Sequence, residues 1–157
     1  MIGLIFVHWA SPLSAATITT QSILAQNQEA VRLELINSQA NFGITSPSMN
    51  AGLQDIFNAA IIRVFSNQNW VLRAKLHGNL RSLQDPQKEI PAAQFLWRLK
   101  GEGYRPFRAN DWVEIARGNP TGNAGNSLML DYQIKVTWDD VPGMYSGNIL
   151  FELVTVP

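Results

Sequence analysis

The residues best suited to catalysis or metal binding are four carboxylates near the C-terminal end of the chain. Asp139 and Asp140 are adjacent, and Asp131 and Glu152 lie on the predicted strands to either side. Such a group could bind calcium, which takes oxygen ligands from turns, or serve as a glycosidase acid and base. The D-x-D-x-D-G spacing of dedicated calcium loops is missing, and Asp commonly opens a turn before Pro-Gly. We therefore interpret Asp139 and Asp140 as turn residues and predict no metal ligand, with calcium as the alternative.

The chain carries no recognisable catalytic motif. His8 and His77 have no partner at the spacing of a metal site or a catalytic triad, and the sequence has no cysteine. The motifs G-x-S-x-G and H-E-x-x-H and a glycine-rich phosphate loop are also missing. We predict that the protein is not an enzyme and needs no cofactor.

The tryptophans are candidates for sugar binding, because flat exposed rings stack on sugar faces. Trp97, Tyr104 and Trp112 lie in the less regular middle of the chain, and they would form a glycan-binding platform if they were exposed on one surface. The alternative is that these rings pack in the core and at strand ends. Trp70 and Trp138 are in register with aliphatic strand faces and are predicted to be core residues.

The charge balance excludes several classes of partner. The 157 residues include 12 Lys or Arg and 12 Asp or Glu, so the formal net charge is zero. Binding to nucleic acid or to an anionic membrane surface requires a clustered basic excess, which this chain does not have. Only 15% of the residues are charged. Such a composition fits an extracellular protein, or one that buries its surface against copies of itself.

The N-terminal sequence predicts secretion. Residues 2–13 are mostly apolar, and small residues, including Ser14 and Ala16, follow at the positions that signal peptidase prefers. We therefore expect a signal peptide at residues 1–16, cleaved near Ala16, and one mature domain at residues 17–157 on the cell surface or outside the cell. No basic residue precedes the apolar run, so the alternative is that residues 2–9 form a buried strand of the mature fold.

Alternating apolar and polar residues predict β-strands along most of the chain. Residues 128–156 are predicted to form a hairpin of two long strands joined by a turn at residues 139–143. Residues 53–65 and 70–76 are predicted to form a second hairpin. With the remaining segments, the pattern predicts an all-β, antiparallel sandwich of seven or eight strands.

Two segments carry a resemblance to a known group of proteins. Residues 132–140 (YQIKVTWDD) with residues 142–147 (PGMYSG), and the turn into a strand at residues 66–72 (SNQNWVL), resemble exported bacterial immunoglobulin-like domains of the pilin and surface-subunit type. The resemblance implies an immunoglobulin-like sandwich that acts as a non-catalytic cell-surface or fimbrial subunit. Subunits of this type often complete their fold with a strand from a neighbour.

The segment that would serve as such a donor strand is residues 17–26. Its candidate contact residues are Ile18, Thr20, Ile23 and Leu24, although Ile23 and Leu24 are adjacent and cannot both face one groove. We therefore expect a secreted structural subunit that forms a homopolymeric filament or surface assembly by strand complementation. The alternative is a module that binds carbohydrate or cell wall, with extracellular polysaccharide as its partner.

Overall fold

The structure, a computed structural model, describes residues 30–38 and 41–156. The predicted signal peptide and the predicted donor strand therefore lie outside the described residues. The strands, in chain order, are β1 (Val31–Ser38), β2 (Asn41–Ile44), β3 (Leu53–Ser66), β4 (Asn69–Ser82), β5 (Glu89–Ile90), β6 (Phe95–Leu99), β7 (Arg105–Pro106), β8 (Trp112–Gly118), β9 (Asn126–Lys135) and β10 (Gly143–Val156). In the described part of the chain one α-helix, α1 (Ser46–Ala51), lies between β2 and β3, and two short 3-10 helices lie at Ala92–Gln94 and Gly122–Ala124.

These strands form two antiparallel sheets of five strands each. Sheet A has the order β1-β3-β9-β6-β7. In sheet B, β10 lies between β2 and β4, and the far edge of β4 pairs with β8 along its first half and with β5 near its end. The inner faces of both sheets contribute to one hydrophobic core. The prediction of an all-β, antiparallel sandwich is therefore confirmed, with more short strands than expected.

The core follows the alternation that the sequence shows. In β4, Trp70, Leu72, Ala74 and Leu76 are each at most 1% exposed, whereas the residues between them are partly exposed. Each fully buried leucine contributes about 2 kcal/mol through the apolar surface that it removes from water. An aromatic cluster joins the sheets, with the ring centroids of Phe42 in β2 and Phe95 in β6 separated by 5.0 Å.

The structure corrects the predicted C-terminal hairpin. The strands β9 and β10 do not pair, because β9 lies in sheet A between β3 and β6 while β10 lies in sheet B. The connection crosses the roughly 10 Å between packed sheets. Asp140 holds it, accepting hydrogen bonds from the backbone N–H of Thr137 at 2.7 Å and from its hydroxyl at 3.1 Å. Trp138 lies on this connection, three residues after β9 ends, and is 70% exposed rather than buried.

The second predicted hairpin is also a crossing between sheets. The strand β3 belongs to sheet A and β4 to sheet B, although only Asn67 and Gln68 separate them. The buried side chain of Ser66 supports this tight corner, since its hydroxyl donates to the carbonyl of Gln68 at 2.8 Å and accepts from its N–H at 3.1 Å. Both predicted hairpins were wrong for the same reason, because the alternation of apolar and polar residues identifies a strand but does not identify the strand that it pairs with.

The packing of Trp70 leads to a stability prediction. Gly118 in β8 lies opposite Trp70, and a Cβ atom at Gly118 would come within 2.5 Å of Cζ2 in the indole ring. The ring is 1% exposed and its Nε1–H donates to the carbonyl of Asn119 at 2.8 Å, so it has little room to move. We expect Gly118→Ala to lower the free energy of unfolding by about 1–3 kcal/mol, measured by urea denaturation.

Gly103→Ala is the matched control, because a Cβ atom there would meet nothing within 4 Å. Both substitutions restrict the unfolded chain equally, so the difference between them isolates the clash with Trp70. Equal stabilities for the two variants would contradict the predicted packing.

Candidate functional site

The most unusual feature of the described chain is an incompletely paired edge on one side of the sandwich. Within residues 30–38 and 41–156, β1 forms the edge of sheet A and pairs with β3 alone. In sheet B, β2 pairs with β10 only at residues 143–146. Among the described residues, positions 148–154 of β10 pair with β4 on one side and have no strand on the other. We call β1 together with residues 148–154 of β10 the seam.

The topology of the chain explains why the seam is incomplete. Only residues 39 and 40 separate β1 from β2, yet β1 pairs in sheet A and β2 pairs in sheet B. The chain therefore covers the edge of sheet A with β1 and then crosses to cover the start of β10 with β2. The two edges are close to each other, since Cα atoms of β1 and β10 approach within 8 Å.

Apolar side chains line the inner side of the seam. Val31 and Leu35 of β1 lie opposite Ser66 and Ile62, which are buried, but they are themselves 45% and 49% exposed. In β10 the inward residues lie opposite fully buried residues of β4 and are only partly buried: Ile149, Phe151 and Leu153. These side chains point toward the core, as core residues do, but the described part of the chain leaves them partly exposed to solvent.

The edge of β10 also lacks the usual protection against pairing. Natural edge strands carry lysines, prolines or bulges that prevent association with another chain. Residues 148–154 (NILFELV) contain one charged residue, Glu152, whose carboxylate is already paired with the Arg73 guanidinium of β4. A long strand edge with this composition is a template for a further strand.

The three rings predicted as a glycan platform do not lie on one face. Trp97 points into the core and is 2% exposed, with its centroid 6.2 Å from that of Phe107. Tyr104 lies on the loop after β6 and contacts the outer side of sheet A through Asp55. Trp112 lies on β8 in sheet B and is 39% exposed. The alternation of Trp97 with Phe95 already indicated an inward orientation for this ring.

The outer side of sheet A carries a hydrogen-bonded polar network. The hydroxyl of Tyr104 donates to Oδ1 of Asp55 at 3.2 Å, and Nε2 of Gln133 donates to the same oxygen at 2.8 Å. Burial, followed by the nearby charge of Asp55, raises the pKa of Tyr104 to about 12. The phenol therefore remains a donor at physiological pH. Because these groups bond to one another across β3, β9 and the loop after β6, the network joins strands.

Asp131 forms the buried part of this outer face. It is 3% exposed, and its carboxylate accepts from Nε of Arg98 at 3.0 Å and from the backbone N–H of Asn58 at 2.9 Å. Asn58 has a φ of 50° and lies in a bulge, where residues 57–59 of β3 face Asp131 alone. The guanidinium of Arg98 lies 4.4 Å from the ring centroid of Tyr104. Sequence alternation gave no signal for this contact.

The carboxylates considered for calcium do not gather. Asp131 is bound to Arg98 in sheet A, Glu152 to Arg73 in sheet B, and Asp140 to the turn that it closes. In the described ranges, no three His, Cys, Asp or Glu residues lie close enough together to hold a metal ion.

Comparison with known proteins gives no assignment. Neither a family model nor a curated protein matches this sequence. No helix in the described part of the chain is long and apolar enough to cross a membrane.

Proposed function

We propose that this chain is a secreted, non-catalytic structural subunit that assembles into an extracellular filament or surface assembly by β-strand complementation. In this proposal the sandwich is immunoglobulin-like and of the pilin type. The observation that carries it is the seam, where no described strand pairs with the second edge of residues 148–154 of β10, beside half-covered apolar side chains. The occupant of the seam is the segment at residues 17–26 of a second copy.

The length and pattern of that segment match the seam. Ile18, Thr20 and Leu24 share one face of an extended strand, whereas Ile23 faces the opposite way. Ile18 and Leu24 are six residues apart, which is about 20 Å in a strand. Residues 148–154 of β10 have the same length. The inward residues Ile149, Phe151 and Leu153 span four residues, about 13 Å, so a donor with this face inward would cover them with Thr20 and one of its two apolar ends, Ile18 or Leu24.

The charge distribution supports association between copies. The chain has no formal net charge, so copies do not repel one another over long distances. The apolar residues of the seam are flanked by few charges, and those present are paired within the chain, Arg32 with Glu34 at 3.4 Å and Glu152 with Arg73. Strand addition would then gain backbone hydrogen bonds and apolar burial without leaving a charge unpaired.

The test is the oligomeric state of the mature chain and of the variant Leu35→Lys. We expect wild-type protein to give filaments or large uniform particles in negative-stain electron microscopy and to elute early in size-exclusion chromatography. Leu35→Lys is expected to elute as a monomer, because a donor strand would bury the new ammonium group. Since Leu35 is 49% exposed in the isolated chain, the variant should lose less than about 1 kcal/mol of folding stability.

Leu83→Lys provides the control, since Leu83 is 55% exposed on the connection between β4 and β5, outside the seam. It should assemble as the wild type does. A monomeric wild-type protein, or normal assembly by Leu35→Lys, would refute complementation at the seam.

A further inference from the structure

A second site candidate lies on the outer face of sheet B. A cavity of about 280 Å³ opens there between β4, β10 and the residues before β8. Its polar side chains are His77, Asn79, Arg81, Asn110, Ser146 and Asn148. We call this cavity the notch.

The notch exists because of a bulge in β4. Ser146 pairs with Arg81 and Asn148 pairs with His77, so Gly147 alone faces residues 78–80 of β4. Gly78 adopts a φ of 79° in this bulge, and a Cβ atom on Gly147 would clash with Cδ2 of the buried Leu80. Two glycines therefore form the floor, and the side chains around them form the walls. Bulges of this kind commonly redirect side chains beside binding sites.

The backbone before β8 closes one side of the notch. Asn110 has a φ of 63° and its N–H donates to the carbonyl of Leu76 at 2.8 Å. This contact fixes Asn110 against β4 in a conformation that non-glycine residues seldom adopt, which costs free energy.

Some side chains of the notch already form hydrogen bonds within the chain, and others do not. Glu89 accepts from Nδ2 of Asn79 at 2.9 Å and from Nε of Arg81 at 3.0 Å, so the Arg81 charge is balanced. By contrast, the side chains of Asn110, Ser146 and Asn148 make no hydrogen bond within the described part of the chain. Amides and hydroxyls can both donate and accept. The side chains of Asn110, Ser146 and Asn148 can therefore form hydrogen bonds with a neutral ligand that has many hydroxyl groups.

An exposed aromatic ring lies beside the notch. Trp112 pairs with Lys75, which is two residues, or about 7 Å, before His77 on the same face of β4. The Lys75 ammonium lies 4.7 Å and the Arg73 guanidinium 5.4 Å from the indole centroid, and these cations hold the ring against the sheet. Trp112 remains 39% exposed, which leaves part of the ring free for a ligand.

We infer that the outer face of sheet B binds a neutral oligosaccharide, with one sugar ring stacked on Trp112 and an adjacent sugar hydrogen-bonded by Asn110, Ser146 and Asn148 in the notch. The indole meets the apolar C–H face of a sugar, while the amides and the serine hydroxyl meet its hydroxyl groups. This site is distinct from the apolar side of the seam, because its side chains lie on the outer face of sheet B and not between the sheets; Asn148 alone belongs to both, with its backbone in the seam and its side chain on the outer face. Trp97 and Tyr104 have no part in it.

The inference is tested by titrating the mature protein with hexasaccharides of β1,4-linked N-acetylglucosamine, glucose and xylose, with polygalacturonate as an acidic comparison. We expect binding of at least one neutral hexasaccharide, followed by calorimetry or by quenching of tryptophan fluorescence. Trp112→Ala and Asn148→Ala should each weaken that binding about tenfold or more. Both residues are exposed, so circular dichroism should show an unchanged fold.

Trp138→Ala is the matched control, since Trp138 is 70% exposed on the connection between β9 and β10. It should bind as the wild type does, and the monomeric variant Leu35→Lys should also keep the site. The inference is overturned if no neutral hexasaccharide binds at millimolar concentration, if only polygalacturonate binds, or if Trp112→Ala binds like the wild type.

Discussion

Replacement of Asp131 by alanine is expected to lower the free energy of unfolding by about 2–4 kcal/mol. The carboxylate is 3% exposed and serves two groups on different strands, the Arg98 guanidinium of β6 and the backbone N–H of Asn58 in β3. Without it, Arg98 loses its partner at a site where its side chain is only 27% exposed. The N–H of Asn58 would also lose its acceptor in a bulge whose backbone has a positive φ.

Two further substitutions separate these contributions. Asp131→Asn keeps an oxygen for the N–H of Asn58 but removes the charge that pairs with Arg98, so its cost should be about half as large. Arg98→Ala leaves the buried carboxylate unpaired, and a double-mutant cycle with Asp131→Ala gives the coupling between the two. Urea denaturation measures the wild type, the three single variants and the double mutant, with Asp139→Asn as the exposed control. If Asp131→Ala stayed within about 0.5 kcal/mol of wild type, the bulge would not depend on this carboxylate.

The sequence predicted burial well because burial in a strand is a local property. Successive side chains point to opposite faces, so the apolar positions of β4 and β9 identified Leu72, Ala74, Leu130 and Ile134 as core residues. The class of fold follows from such strands alone. Trp138 was misassigned because the alternation continues past Lys135, where the strand ends and the chain leaves the sheet.

Strand partners could not be predicted in the same way. The sequence shows two strands and a short connection in both cases, and a hairpin and a crossing between sheets then look alike. The Asn67 and Gln68 corner and the turn closed by Asp140 both join different sheets, because β3 and β9 pair with each other at a distance along the chain. That choice depends on which faces meet in the folded molecule, and no local pattern encodes it.

The candidate sites were hidden for the same reason. The notch forms where Gly147 lies opposite the bulge that contains Gly78. The network around Asp131 forms where Asp131 lies opposite the bulge that contains Asn58. In both cases the two residues are far apart in the sequence. The residues of the seam were identified as strand residues, but Phe151 was expected to pack in a hairpin with β9. Only the strand order shows that one side of β10 has no described neighbour at residues 148–154.

Deletion of residues 17–27 is expected to abolish assembly and to leave a monomer with an open seam. Under strand complementation, a synthetic peptide of the same sequence should bind this monomer and raise its melting temperature. A peptide at a hundredfold excess over its dissociation constant would stabilise the folded state by about 2.7 kcal/mol, which corresponds to several degrees. Thermal denaturation with increasing peptide concentration measures this effect, and unchanged assembly after the deletion would exclude residues 17–27 as the donor.

The same peptide tests the orientation of the donor strand. Ile18, Thr20 and Leu24 share a face, so Leu24→Asp in the peptide should remove the stabilisation, while Ile23→Asp on the opposite face should change it little. The opposite result would mean that the strand enters the seam with its faces exchanged, because a shift of one residue turns every side chain over. Equal effects of both substitutions, or none, would show that the peptide does not bind as a strand. The two variants differ by one position and carry the same charge. A difference in the stabilisation that they give therefore requires pairing in a defined register.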